Sequence, residues 1–257
     1  MGAALIHFVA MPTPTSDRTV APSPDLQAKA LPRQARAQET YEHILGVTVH
    51  LLAEVGIERL STNQVAAAAG ISPPALYRYF PNKYALLHEL GRRLMQAQNV
   101  LVEQWATPAT LRLPTAALAQ SIYTLYEQTL VLTRELPEGI WVTRALRAVP
   151  VLTPVRIESH AYVTGLIERA FLQAYPSAPV ARVGVLARLA VELVYAAMEM
   201  LFDEPTLDTQ AVGQSLANML AQEVQTLRRE AQRARTAVAP PATAAATAAA
   251  PGPSPAP

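Results

Sequence analysis

Apolar residues recur at spacings of three and four along most of the chain, and no long stretch alternates with period two. The chain therefore reads as all-helical. Ile44, Leu45, Thr48, Leu51, Leu52 and Val55 share one face of a first helix expected over about 36–55, and Gly56 is placed to stop it. Further helices are expected over about 83–104, 115–135, 139–148, 153–174, 180–202 and 208–233, separated by Pro108, Pro114, Pro150, Pro154, Pro176, Pro179 and Pro205. Thr153 is expected to cap the helix it opens. Tyr162, Val163, Leu166, Ile167, Ala170 and Phe171 are expected to form that helix's core face. The helix over 180–202 is apolar around most of its circumference, as a helix covered on more than one side would be.

Between the first and fourth helices lie residues 61–83, STNQVAAAAGISPPALYRYFPNK. Ser61 with Gln64 three residues on forms a capping-box pattern, and Gly70 ends the short Ala-rich helix that follows. Ser72 is a second cap, and Pro73 sits where a missing N–H costs least. Pro81 and Asn82 end this third helix and cap the fourth. Two short helices joined at a glycine corner can set the second one into the major groove of DNA.

Composition narrows the picture. Hydrophobic residues are 51% of the 257 and charged residues 16%, enough for a sizeable core. A net charge of +1 argues against a protein that coats nucleic acid through bulk charge and leaves room for a local basic patch. With no cysteine there is no disulfide framework or thiolate zinc site, which fits a reducing, cytoplasmic setting. No uncharged stretch reaches the length of a membrane span; the nearest, around Leu189–Phe202, carries Glu192 and Glu199. MGAALIHFVAM lacks a cationic leading segment and reads as a tail rather than a signal peptide. Residues 1–32 and the Ala/Pro/Thr-rich residues 236–257 are expected to be disordered, because neither can bury enough apolar surface to offset ordering. There is no H-x-x-x-H pair, no Gly-rich phosphate loop after a strand and no nucleophile elbow. No catalytic residue, metal site or cofactor is expected, and the chain does not read as an enzyme.

Residues 36–90 resemble the DNA-binding domain of TetR-family transcriptional regulators. The resemblance is carried by LLAEVG (51–56), LSTNQVAAAAGIS (60–72) and ALYRYFPNKYALL (75–87), roughly a fifth of the chain. Beyond the fourth helix it is architectural only. It implies an all-α fold with a helix-turn-helix domain over 33–83 and a helical ligand-binding and dimerisation domain over 84–235. It also implies a homodimer paired through the last two long helices, and a small-molecule effector. Two positions depart from the family pattern: the prolines 73 and 74 stand where polar or basic side chains often sit, and Tyr84 stands where an acidic residue is common.

On the reading head the candidate DNA-binding residues are Thr62, Ser72, Pro73, Pro74, Ala75, Tyr77, Arg78, Tyr79 and Lys83. Thr62 lies beside free helix-end N–H groups that can meet a phosphate. Arg78, the one cation on the third helix, suits guanine or phosphate. Pro73, Pro74 and Ala75 offer apolar surface to a thymine methyl. By resemblance, Tyr77 and Tyr79 reach backbone or a thymine methyl, and Lys83 grips a phosphate. Leu76 and Phe80 are core positions. In the regulatory half, Trp105, Tyr126, Trp141, Arg144, Tyr162, Glu192 and Tyr195 are candidates for contact with a mainly apolar ligand, with Arg144 or Glu192 holding one polar group. Two functions stay open: a repressor released from a palindromic operator by such a ligand, or a sequence-specific DNA-binding protein whose helical domain takes a protein partner or activates transcription without an inducer.

Overall fold

A computed structural model describes residues 24–29, 34–136 and 139–238, and all the regular structure among them is helical. The helices are α1 (Ala35–Arg59), α2 (Thr62–Ala68), α3 (Pro73–Tyr77), α4 (Lys83–Trp105), α5 (Thr115–Glu135), α6 (Gly139–Ala148), α7 (Thr153–Ala174), α8 (Val180–Asp203) and α9 (Thr209–Val238). Short 3-10 turns at Thr110–Arg112 and Pro150–Leu152 lead into α5 and α7. The second turn displaces an expected cap. Thr153 is the first residue of α7, and Leu152 precedes it without a side-chain cap.

The short elements form where their ends are satisfied. Ser61 Oγ accepts from the Gln64 N–H, Ser72 Oγ from Ala75 and Asn82 Oδ1 from Ala85. Gly56 and Gly70 take φ of +72° and +64°, a region that strains any residue with a Cβ. The first breaks α1 one turn before its end, and the second makes the α2–α3 corner.

One apolar cluster runs from Tyr41 and Ile44 in α1 through Val65, Leu76 and Phe80 to Leu86, Leu90 and Leu94 of α4, then on to Val142, Val163, Val191 and Tyr195. The head and the body thus share one core, with α4 as its spine. A second cluster joins α5, α7, α8 and α9 around Leu118, Tyr126, Phe171, Met198 and Leu220. Tyr162 is not part of α7's core face. It is 46% exposed, and its hydroxyl donates to Glu103 at 2.8 Å.

The disordered tails expected over 1–32 and 236–257 fall mainly outside the described residues. Two parts of them are described. α9 continues to Val238, and residues 24–29 lie against the head, with Leu26 and Ala28 packed on its core.

Candidate nucleic-acid interface

The third helix stands on a buried brace. Leu76 and Phe80 are wholly buried, and Phe80 stacks on Tyr41 of α1 with centroids 4.8 Å apart. Tyr79 meets the same Tyr41 edge-on at 6.2 Å. With that side of α3 locked, Ser72, Pro73, Pro74, Tyr77 and Arg78 face outward, and Ala75 and Tyr79 are half-buried. Thr62 Oγ1 and Tyr77 Oη lie 2.9 Å apart, a hydrogen bond that ties the start of α2 to the end of α3. Both are candidate DNA-binding residues, Tyr77 by resemblance, and nothing in the sequence shows that they touch.

Lys83 is differently engaged. Its Nζ donates to the carbonyls of Ile57 at 3.1 Å, Glu58 at 3.4 Å and Leu60 at 3.1 Å. Three N–H groups thus meet three carbonyls at the frayed end of α1, where the helix dipole also favours a cation. Beside the phosphate grip implied by resemblance, Lys83 forms a clamp between the end of α1 and α4. A signal for it was present in the Gly56 break, which leaves those carbonyls without helical partners.

Behind the head, Arg93 pairs bidentately with Glu42 of α1 at 2.6 and 2.8 Å and also donates to Glu89 at 2.8 Å. Arg92 takes both oxygens of Glu89, each at 2.9 Å. Burial pushes the Glu89 carboxyl upward, but the hydrogen bonds from Arg92 and Arg93 outweigh it and hold the group below the usual carboxylate range. Burial, with Glu89 nearby, raises the Tyr41 hydroxyl to about 12. None of these four charged residues was singled out from sequence: Glu89 pairs locally with Arg92 and Arg93, but Glu42 joins them across 51 positions.

In the body, α4, α5, α7, α8 and α9 line a partly open cavity of about 100 Å³ with an almost wholly apolar wall. Of the candidate ligand residues, Trp105, Tyr126 and Tyr195 line it. Trp141 and Arg144 lie instead on an open groove beside the end of α1. Arg144 sits over the Trp141 ring and bonds the Phe202 carbonyl and Asp203. Tyr162 lies on a polar groove between α4 and α7. Glu192 faces His160 at 2.9 Å, with Arg188 and Arg156 beside it. The expectation that Arg144 or Glu192 fixes a ligand in the cavity is therefore corrected, since both are engaged elsewhere.

Residues 44–90 match the sequence family described as bacterial regulatory proteins, tetR family. The chain carries a TetR-family domain. Over most of the rest of the chain the similarity is structural. The chain superimposes on a TetR-family transcriptional regulator from Streptomyces coelicolor with a TM-score of 0.55 at 20% identity, covering 76% of this chain and 89% of that one. It superimposes on the fatty acid degradation regulator FadR from Bacillus halodurans with a TM-score of 0.52 at 16% identity, covering 71% and 94%. These likenesses show the TetR-like fold. Curated relatives include the nucleoid occlusion factor SlmA of Mannheimia succiniciproducens, 36% identical over 73 residues, and that of Haemophilus ducreyi, 40% identical over 60. The matches cover 28% and 23% of this chain and about a third of those proteins, 33% and 30%. Among the described residues no helix is long and apolar enough to cross a membrane.

Proposed function

We propose that the protein is a cytoplasmic, dimeric repressor that reads a palindromic operator with α3 and releases it when a small apolar ligand enters the body cavity. The observation that carries the reading is the outward face from Ser72 to Arg78 held on a buried brace, within a segment that matches the TetR family. Base contacts come from Arg78 and from the apolar tip Pro73–Pro74–Ala75, and backbone contacts from Thr62, Ser72 and Tyr77. Tyr79, tucked against Tyr41, positions them.

One head makes few phosphate contacts, so affinity needs a second. The outer face of α8 suits that pairing: Val185 is 61% exposed, Leu189 51%, Leu193 42% and Met200 40%. A stripe that exposed and that apolar favours a partner helix. The ligand is small and neutral, because the cavity, at about 100 Å³, is of the same order as the roughly 150 Å³ engineered site that holds a benzene ring, and no charged side chain lines it. Tyr126 is a wall residue whose buried hydroxyl has no partner among the described residues, so one hydrogen-bonding group on the ligand fits. The ligand acts by favouring a head spacing that misses adjacent grooves, and it shifts DNA binding only by its differential affinity for the two spacings.

The test is selection of duplexes from a random pool. Two inverted half-sites about one helical turn, or a multiple of it, apart are expected. Failure to enrich any sequence at low ionic strength sinks the reading.

A further inference from the structure

The Lys83 ammonium is engaged by the carbonyls of Ile57, Glu58 and Leu60, and a further cation comes to the end of α3 from an unexpected direction. Residues 24–29 run alongside the turn that follows α3. The Asp25 carbonyl accepts from Asn82 Nδ2 at 2.8 Å, and the Lys29 N–H donates to the Tyr79 carbonyl at 2.9 Å. The segment thus passes Asn82 first and Tyr79 last, heading toward the recognition helix. Its side chains alternate in burial: Leu26 and Ala28 pack on the head's core, while Asp25, Gln27 and Lys29 point outward. A segment anchored on one face behaves in this way even though it bends at Gln27 and Lys29, and its period of two is the reason a helix-based reading of the chain overlooks it.

The anchor fixes where Lys29 stands. Its Cα is within ~4.5 Å of the Tyr79 carbonyl oxygen, given the bonded N–H and a standard N–Cα length. A lysine stem reaches several ångströms farther. Arg78 and Tyr77, both exposed, are the next residues back along α3. Lys29 makes no ion pair among the described residues.

We propose that this strap is part of the DNA interface and that Lys29, held at the C-terminal end of α3, neutralises a backbone phosphate flanking the half-site. The inference rests on the reading of α3 as a DNA-recognition helix. It adds to that reading a contact from outside the helix-turn-helix segment. Because a phosphate contact carries no sequence information, Lys29 contributes affinity and register without altering which bases are preferred.

The experiment compares full-length wild type, Lys29→Gln and Lys29→Arg on one duplex recovered by selection, titrated at 50–200 mM salt. Each phosphate neutralised adds about 0.9 to the slope of log affinity against log salt. Lys29→Gln is therefore expected to flatten the slope by about one unit per head and to keep the same base preferences and melting temperature. Affinity would then fall roughly threefold less per head across that salt range. Lys29→Arg should restore the wild-type slope. A Lys29→Gln slope equal to wild type overturns the proposal and leaves the α3 reading standing. Failure of Lys29→Arg to restore the slope overturns it too. If wild type itself prefers no duplex, both readings fall together.

Discussion

Lys83 shows how a residue's place in a motif and its place in a structure can differ. Its three donors meet the end of α1, so it acts on stability before it acts on DNA. Hydrogen bonds from a charged donor contribute about 1.5–3 kcal/mol each when buried, and the half-exposed setting lowers that. Lys83→Met is expected to lower stability by roughly 1–3 kcal/mol, read as a shift in the urea midpoint, while the salt slope of DNA binding stays as in wild type. A flatter slope with unchanged stability would restore the phosphate role. The Thr62–Tyr77 bond is also a residue-scale device, holding half-buried Thr62 and exposed Tyr77 in one geometry. At the tip, Pro73, Pro74 and Ala75 can recognise a thymine only through its methyl group. Replacing thymine by uracil at the matching position should cost about 1 kcal/mol or more of binding, and equal affinity at every thymine would remove the apolar-tip contact.

His160 is the other residue whose setting decides its behaviour. It is fully buried on α7, stacked on Tyr195 of α8 at 4.2 Å, with Glu192 on one ring nitrogen and no partner for the other among the described residues. Burial, aided by Arg156 and Arg188 and opposed by Glu192, holds its pKa below the ordinary histidine value. The neutral ring is therefore favoured in the folded state. The unfolded chain binds the proton more readily, so this stability is complete above about pH 6.5 and is lost as pH falls through the window below it. His88, also held down chiefly by burial, adds in the same direction. Urea midpoints measured from pH 7.5 to 5 should fall, and His160→Phe should flatten that fall. An unchanged pH profile in the variant would remove His160 as its source.

At the scale of elements, α8 carries the clearest conflict between pattern and environment. Its inner face packs through Val183, Ala187, Val191, Tyr195 and Met198. Its outer face repeats Val185, Leu189 and Leu193 at four-residue spacing and reaches Met200. One chain has nothing to cover that stripe among its described residues, whereas a second copy would. Leu189→Glu together with Leu193→Glu should convert a dimer to a monomer in light scattering and weaken operator binding by orders of magnitude, without unfolding the chain. Persistence of the dimer would move the interface elsewhere. The short elements carry their own stop and start signals, which is why α2 and α3 are legible from caps, glycines and prolines alone. The strap over residues 24–29 has no such signal. The backbone bond from Lys29 to Tyr79, the side-chain bond from Asn82 to the Asp25 carbonyl and the packing of Leu26 and Ala28 mark it, and both hydrogen-bond partners lie about fifty or more positions away.

For the whole molecule, the central fact is the shared core. A cluster that runs from Tyr41 to Tyr195 ties the head to the cavity wall, with the Glu42–Arg93–Glu89–Arg92 network beside it. A ligand that shifts α4 must therefore move the head or strain that core. A neutral one-ring compound such as benzyl alcohol should raise the melting temperature of the free protein, and benzoate of the same size should not, because nothing in the wall offsets the desolvation of a charge. Tyr126→Phe should cut the gain from benzyl alcohol and leave any gain from toluene intact. Equal shifts from the alcohol and the acid would contradict the neutral-ligand reading.

Periodicity, caps and a run of residues around the glycine corner were enough to establish the helices, their order, the reading head and the core roles of Leu76 and Phe80. Those features depend on neighbours within a turn or two, where the chain's own spacing dictates who meets whom. Which polar side chains are free to act was settled only in three dimensions. Lys83, Arg144 and Glu192 look alike in sequence as charges among apolar residues, yet each is held by groups brought from 20 or more positions away. The apolar lining of the cavity and the packing of residues 24–29 on the head arise in the same way, from helices and strap meeting across distances over which no local pattern runs.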